Sequence, residues 1–257
     1  MELKVIRPQK EAFEKTAQIS VYSSRVIMVA SVFSCCYSIA AQNLTISDQI
    51  ASIATGITAF LTIASWALKI WYACKFHEAE SQKHQGLIDN AFGVKLAQIK
   101  SENYYDNDGV NAGISKLVAN VHESCLFTAR ILEKTIEKKA PFILLPIVAI
   151  LVCAVIGFAH IPFIDSIFVL LLSELMLGDI VAIYTLKNKA KKLEAEFRKI
   201  WQIQERNTLF SASALYIVIE YESLISRMQM LLDEKVYEEQ KMNIEKEWSE
   251  IRLRYGI

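Results

Sequence analysis

Between residues 141 and 159 the chain reads PFILLPIVAILVCAVIGFA, without a charge from end to end. As a helix, a run of that length crosses the hydrocarbon core of a bilayer. Two further runs, 26–41 (VIMVASVFSCCYSIAA) and 50–68 (IASIATGITAFLTIASWAL), are also uncharged. A fourth, 163–186, is broken only by Asp165, Glu174 and Asp179. Composition alone does not carry the inference, since a soluble chain of 257 residues, 53% hydrophobic, can also bury a good core. The distribution carries it: charges collect between and around the four runs, which read as four transmembrane helices. The first run follows a mixed-charge stretch with no cleavage-like site, so it reads as an anchor and not a secretory signal.

The distribution of basic residues orients these spans. The link QNLTISDQ (42–49) has no Lys or Arg, nor does the turn around AHIPF (159–163). Lys4, Arg7, Lys10, Lys15 and Arg25 precede the first run, Lys75, Lys83, Lys95 and Lys100 lie in the central segment, and Lys187, Lys189, Lys191 and Lys192 follow the last run. Basic residues are retained on the cytoplasmic side, which places both termini and the central segment there. Trp66, Trp71, Tyr72 and Tyr184 fall near inner span ends, as interfacial aromatics do. The expected fold is an all-α membrane protein with four transmembrane helices as two hairpins. Its segments are a cytoplasmic N-terminal helix (1–25), a first hairpin (26–74), a cytoplasmic helical insert (75–140), a second hairpin (141–186) and a cytoplasmic helical tail (187–257). Membrane lipids are its surroundings.

Chemistry-bearing motifs are sparse. Of five cysteines, Cys35 and Cys36 lie in the first run and Cys153 in the third, which suits reduced packing residues better than a disulfide framework. His77 and His84 share a helical face, but a pair is too few for a site, and no metal is expected. There is no phosphate-cradling glycine loop, nucleophile elbow or metalloprotease helix, so no catalytic residue is assigned and no enzyme is expected. Lys and Arg number 28 and Asp and Glu 28, and no nucleic-acid partner is expected.

Within the spans, polar and small residues form stripes. Thr55, Thr58, Thr62, Ser65 and Lys69 step by three and four along the second run, and Ser24, Ser31, Ser34 and Ser38 along the first. Pro146, Ala149, Cys153 and Gly157 share a side of the third run, which ends at His160. Glu174, Gly178 and Ala182 share a face of the fourth. Such stripes either let helices approach and hydrogen-bond or line a polar path once several protomers assemble. Glu174 lies near the centre of its span, where a carboxylate costs several kcal/mol unless offset. It is either a neutral carboxyl bonded within the bundle or a group serving ion passage. Asp179, roughly 140° further round, is nearer the cytoplasmic end and Lys187, and Asp165 sits at the opposite boundary.

The cytoplasmic parts are helix-compatible. Leu87, Ile88, Phe92 and Leu96 recur at helical spacing over 77–101, SENYYDNDGVNAG (101–113) reads as a turn-rich loop, and Leu117, Val121, Cys125 and Leu132 resume a helix over 114–139. In the tail, Phe210, Ala214, Ile217, Tyr221, Leu224, Met228 and Leu231 form a heptad-like seam, followed by Ile244, Trp248, Ile251 and Tyr255. These seams pack either within a protomer or between protomers. LYIVIEY (215–221) alone resembles a strand, but its surroundings favour helix. Lys95, Lys100, Tyr104 and Tyr105 either stack on and charge-pair with a nucleotide or form a solvated loop.

The order of these parts, a helix IRPQKEAFEKTAQISVYSSR (6–25), two spans, an insert with HQGLIDNAFGVKL (84–96) and NYYDN (103–107), two spans and a helical tail, resembles the four-transmembrane effector family linked to bacterial nucleotidyltransferase (SMODS) defence systems of the CBASS type. Gln9, Tyr22, Ser23, Gln85, Asp89, Phe92, Gly93 and Tyr105 stand at that family's motif positions. Ile88 stands where Phe is usual, Val94 and Lys95 follow the glycine, and Tyr104 replaces Trp. The resemblance implies an effector in the bacterial inner (plasma) membrane acting after phage infection. Its functional partner would be a nucleotide-second-messenger synthase and its ligand a cyclic oligonucleotide. Activation would make it a homo-oligomer that permeabilises or depolarises the membrane. Two other readings compete: a membrane-anchored scaffold or regulatory subunit docking partners through its cytoplasmic helices, and a small transporter. The transporter needs broken helices around a midplane site, for which only Pro146 and Pro162 are candidates.

Overall fold

The computed structural model describes residues 8–43, 47–97, 107–156, 177–203, 205 and 207–257. The protein is all-helical, with no strand among the described residues. The helices are α1 (Pro8–Asn43), α2 (Asp48–Phe92), α3 (Ile114–Ile156), α4 (Leu177–Trp201), α5 (Thr208–Met228) and α6 (Glu234–Tyr255).

Their ends follow local chemistry. Asn207 and Asp233 cap α5 and α6, their side chains accepting from Phe210 N, and from Lys235 N and Val236 N. Gln229 and Gly256 close the same helices in the left-handed conformation. α2 stops at Phe92 because Gly93 turns to φ +70° and donates back to Asp89 O at 2.9 Å. Leu96, expected on the same helical face, consequently lies beyond the helix and is exposed.

Three expected segment boundaries fall inside continuous helices. α1 runs unbroken through 25–26, α2 through 74–75, and α3 through 140–141 and both Pro141 and Pro146. Length and composition make three helical stretches apolar enough to cross a membrane: Glu11–Ser38, Asp48–Phe92 and Thr208–Met228. The first two contain the runs 26–41 and 50–68 for most or all of their length. The third is α5, read from its sequence as a packing seam of the tail. The run 141–159 is described only to Ile156, and 163–186 only from Leu177.

The chain divides into two compact units. The first, here the polar unit, comprises Met1–Glu14, Phe76–Glu137 and Ala182–Ile257. Its core joins Leu87 and Ala91 of α2, Leu117, Val121, Cys125 and Leu126 of α3, and Ala190, Phe197 and Trp201 of α4. Phe210, Ala214, Ile217 and Tyr221 of α5 and Val236, Ile244, Trp248 and Ile251 of α6 complete it. Fully burying a large apolar side chain is worth about 1.5–3 kcal/mol. α5 is therefore held as a core helix, since an apolar helix can be core as readily as span. Its heptad-like seam packs within the protomer: Phe210 to Leu224 are buried at the expected steps, and Met228 and Leu231 are half-buried.

The second unit, Lys15–Lys75 and Lys138–Val181, is the apolar unit. Its pattern is the reverse of a water-soluble domain. On α1 the buried line reads Thr16, Ile19, Ser23 and Ala30, and on α2 it includes Ala54 and Ser65, while Met28, Val29, Val32, Ile53, Phe60, Ile63 and Trp66 are exposed. Ser23 and Ser65 join the two helices: Ser23 Oγ donates to Ser65 O at 3.3 Å, Ser65 Oγ to Ser23 O at 3.4 Å, and the hydroxyls lie 3.4 Å apart. Small and hydroxylated residues inside, with large apolar ones outside, is how helices associate where lipid is the solvent.

Candidate functional site

The polar unit contains two polar seams, the first only partly buried, and neither is announced by a sequence motif. In the first, α2 presents His77, Glu80, Lys83 and His84 to Glu222 and Ser226 of α5 and to Gln229, which closes it. Lys83 Nζ donates to Glu222 Oε2 at 2.7 Å, and His84 Nε2 lies 2.9 Å from the same oxygen. Ser226 Oγ donates to Glu80 Oε2 at 2.5 Å, and Gln229 Nε2 lies 2.9 Å from His77 Nε2. Burial alone would raise the Glu222 carboxyl, but Lys83 and His84 beside it hold it down at about 2. Lys83 Nζ also lies 5.9 Å from the centroid of the Tyr221 ring, whose hydroxyl is 2.8 Å from Thr128 Oγ1. The second oxygens of Glu80 and Glu222 are buried without a hydrogen-bond partner among the described residues.

The second seam joins α3, α4 and α6 around His122, which is wholly buried. Trp201 Nε1 donates to His122 Nδ1 at 3.0 Å. An indole can only donate, so the neutral ring carries its proton on Nε2. That nitrogen faces Glu194 Oε1 at 3.6 Å, an ion-pair distance too long for a direct hydrogen bond. The ring stacks on Phe197, with centroids 5.2 Å apart, and Trp248 meets it edge-on at 5.1 Å. Burial lowers the His122 pKa and outweighs the carboxylate's opposing pull. Burial would raise Glu194, but His122 and Arg198 hold it below the usual carboxylate range. Arg130 grips Glu247 with two bonds of 2.9 and 2.6 Å. A histidine sealed this way meets neither water nor substrate, so its role is to hold three helices in register.

Both ends of the connection between α2 and α3 are pinned. At the start, the Asp89 carboxylate accepts from Leu96 N at 2.6 Å and Ala97 N at 2.9 Å. At the end, buried Asn107 donates to Asn120 Oδ1 at 3.1 Å and Glu123 Oε2 at 2.7 Å, and accepts from Trp248 Nε1 at 3.1 Å. Gly113 N donates to Ala91 O at 2.7 Å and ties the end of this connection to the end of α2.

The residues singled out from the sequence fall out as follows. Lys95 is exposed just after the Gly93 turn. Lys100, Tyr104, Tyr105 and Glu174 lie outside the described residues. Gly178 and Asp179 lie in α4, and the Asp179 side chain is outside the description. The hydroxyl stripe of α2 splits. Ser65 is buried and Thr58 half-buried, but Thr55 and Thr62 are exposed, and all three threonines donate to carbonyls of their own helix, Ala51, Ala54 and Thr58. The expected stripe is thus set to one side of the helix's buried line, because Thr55 and Thr62 follow its inward positions by one residue. On α1, Ser23 makes the contact to α2, whereas Ser24 is exposed, and Ser31 and Ser38 bond back to Ile27 O and Ser34 O. Cys125 is buried, its thiol pushed well up by burial, whereas Cys36, expected as a packing residue of the first run, and Cys74 are exposed. Among the resemblance positions, Asp89 and Gly93 shape the α2 terminus and Ser23 joins the spans, while Tyr22 and Gln85 are exposed.

Missed from the sequence were Glu222, His122, Glu194 and Asn107. The one available signal was a set of ionisable or amide residues at helical positions otherwise apolar. Among the described residues no three His, Cys, Asp or Glu side chains converge as a metal site. What the arrangement can do is couple: ionic contacts join α2 to α5 and α3 to α6, and the two ends of the α2–α3 connection are tied to α2, α3 and α6. Comparison with known proteins finds no matching family model, no similar curated protein and no similar solved structure.

Proposed function

We propose that this protein is a bacterial inner-membrane effector of an antiphage nucleotide-signalling system. In this reading the apolar unit and the runs 141–159 and 163–186 form four spans with both termini cytoplasmic. The polar unit is the cytoplasmic part and includes α5. The observation that carries the membrane role is the inverted pattern of α1 and α2, with Ser23, Ala30, Ala54 and Ser65 inside and Met28, Phe60, Ile63 and Trp66 outside.

The signal is a cyclic oligonucleotide made by a partner synthase and read at the central insert by Lys95, Lys100, Tyr104 and Tyr105. Two features support that placement: the ends of the α2–α3 connection are tied to α2, α3 and α6 through Asp89 and Asn107, and these helices belong to one packed core. A ligand shifts such a system only if it binds the active state more tightly than the resting one. Assembled copies then permeabilise the membrane along a path that includes Glu174 and the face of Gly178. The signalling role rests on the insert's resemblance to the nucleotide-linked effectors.

The test is membrane potential in bacteria expressing the protein with and without the synthase. Depolarisation is expected only when the synthase is active, and it is weakened by Glu174→Gln or by a bulky residue at Gly178 with insertion intact. An unchanged potential under every condition, with the protein inserted, replaces this reading by the membrane-anchored scaffold.

A further inference from the structure

α4 carries the end of the run 163–186 straight into a lysine-rich stretch with no break in the helix. Lys187, Lys189, Lys191 and Lys192 follow one another closely, and no acid stands between Tyr184 and Leu193. From Lys187 to Lys192 a helix rises about 7.5 Å, and the polar layer on one side of a bilayer is about 5–7.5 Å deep. Helical side chains lean toward the helix N-terminus, so lysines placed just after an apolar run reach back toward it.

These lysines are not equivalent. Lys191 Nζ donates to Glu133 of α3 at 2.5 Å, and on α3 itself Lys134 Nζ donates to Glu137 at 2.7 Å. Glu196, one turn beyond Lys192, accepts from Lys199 at 2.6 Å. Lys189 and Lys192 are exposed and have no acidic partner among the described residues. Lys187 Nζ lies 4.7 Å from the centroid of the Tyr184 ring, which is itself 55% exposed. That contact holds the ammonium in place without neutralising it. Ile183, Leu186 and Ala190 mark the buried side of α4. At 100° per residue, Lys187, Lys192 and Lys189 spread over about 200° of the remaining circumference. A macromolecular partner touches a helix from one side, whereas a layer of headgroups surrounds it.

We infer that Lys187, Lys189 and Lys192 bind the phosphates of anionic phospholipids around α4 where it leaves the bilayer, and that Lys134 and Lys191, committed to Glu137 and Glu133, do not. Bound headgroups of this kind are recognised by basic residues flanking a span. The inference rests on the membrane placement of 163–186 proposed above and not on the nucleotide signal. It also goes beyond the charge bias that orients the spans, because that bias counts every lysine alike.

The experiment is photo-cross-linking of the full-length chain, with a photoreactive benzoylphenylalanine replacing Tyr184, in bilayers of equal parts phosphatidylglycerol and phosphatidylcholine. Mass spectrometry identifies the captured lipid. Phosphatidylglycerol is captured about fivefold over phosphatidylcholine, the worth of one lysine beside an anionic surface, and the preference shrinks in high salt. Lys187→Gln with Lys192→Gln abolishes it, while Lys134→Gln with Lys191→Gln, which removes as much charge, leaves it unchanged. Equal losses in the two double variants overturn the proposal, since bulk charge and not the unpaired lysines would then attract the lipid. Capture indifferent to lipid charge also overturns it, and binding of soluble polyphosphate through the same lysines would then assign the surface to a soluble polyanion. Flotation in alkaline carbonate reports insertion separately. A chain that fails to insert sinks the membrane placement and this inference together, whereas an inserted chain without lipid preference sinks the inference alone.

Discussion

Glu222 shows how far a single buried charge depends on its neighbours. Its side chain is 12% exposed and that of Lys83 14%, so neither group keeps much water. Removing one partner from such a pair strands the other, whereas replacing both with apolar groups is often neutral. Lys83→Met is therefore expected to destabilise the polar unit by about 3 kcal/mol, and the double variant Lys83→Met with Glu222→Leu by clearly less. Chemical denaturation of the three chains checks this; equal losses in single and double variants would mean that the pair is not coupled. The pH dependence has a definite sign. A carboxyl held at about 2 against an ordinary 4.5 binds fewer protons folded than unfolded. Its stabilisation is thus complete above 4.5 and is lost as pH falls toward 2, and Glu222→Gln flattens the acid limb of the stability profile in that window. His122 acts with the opposite charge: burial keeps it neutral, so acidification below 6.5 favours the unfolded chain, which takes up the proton first.

Helix boundaries are set by a few side chains whose partners lie just outside the regular run. The end of α2 depends on Gly93 at φ +70° and on Asp89, which collects the amides of Leu96 and Ala97. Asp89→Ala leaves two amides without their carboxylate and is expected to cost about 1–3 kcal/mol. Gly93→Ala puts a Cβ into a left-handed conformation and is expected to cost about 1 kcal/mol, although no neighbouring atom lies within 4 Å of the added carbon. Hydrogen exchange reads the difference. Asp89→Ala exposes the Leu96 and Ala97 amides with the rest of α2 protected, whereas equal protection in the variant would remove Asp89 from its anchoring role. The periodic line Leu87, Ile88, Phe92, Leu96 ran one turn too far for this reason: apolar spacing persists across a turn that one glycine and one carboxylate impose. α5 shows the converse ambiguity. Its hydropathy suits a membrane span, but Glu222, Ser226 and Tyr221 find their partners inside the polar unit.

The molecule combines two solvents' worth of packing rules in one chain. In the polar unit large residues such as Phe197, Phe210 and Tyr221 are inside, and in the apolar unit Phe60, Ile63 and Trp66 are outside. The apolar unit therefore responds to volume more than to hydroxyl chemistry. Ser65→Ala is expected to be mild, about 0.6 kcal/mol, the typical worth of a hydrogen bond between membrane helices. Ser65→Leu forces α1 and α2 apart and is expected to cost about 1–3 kcal/mol. Unfolding in mixed micelles of rising denaturing detergent distinguishes the two, and a larger loss for alanine than for leucine would show that the hydroxyl, and not close approach, joins the helices.

Helix content and much of the polar unit's inward face were legible along the chain. Phe210, Ala214, Ile217, Tyr221 and Leu224, then Ile244, Trp248 and Ile251, are buried at the steps their spacing indicates, as are Leu117, Val121, Cys125 and Leu132. Burial of a helical stripe is a property of near neighbours, so a periodic pattern carries it. The polar pairings were not legible, because they join residues far apart: Lys83 and Glu222 are separated by 139 positions, His122 and Trp201 by 79, Ser23 and Ser65 by 42. Which hydroxyl faces a partner is decided by how two helices are rotated and shifted against each other. Adjacent residues such as Ser23 and Ser24, or Ala54 and Thr55, differ by 100° on the helix, and only the packed pair of helices selects between them.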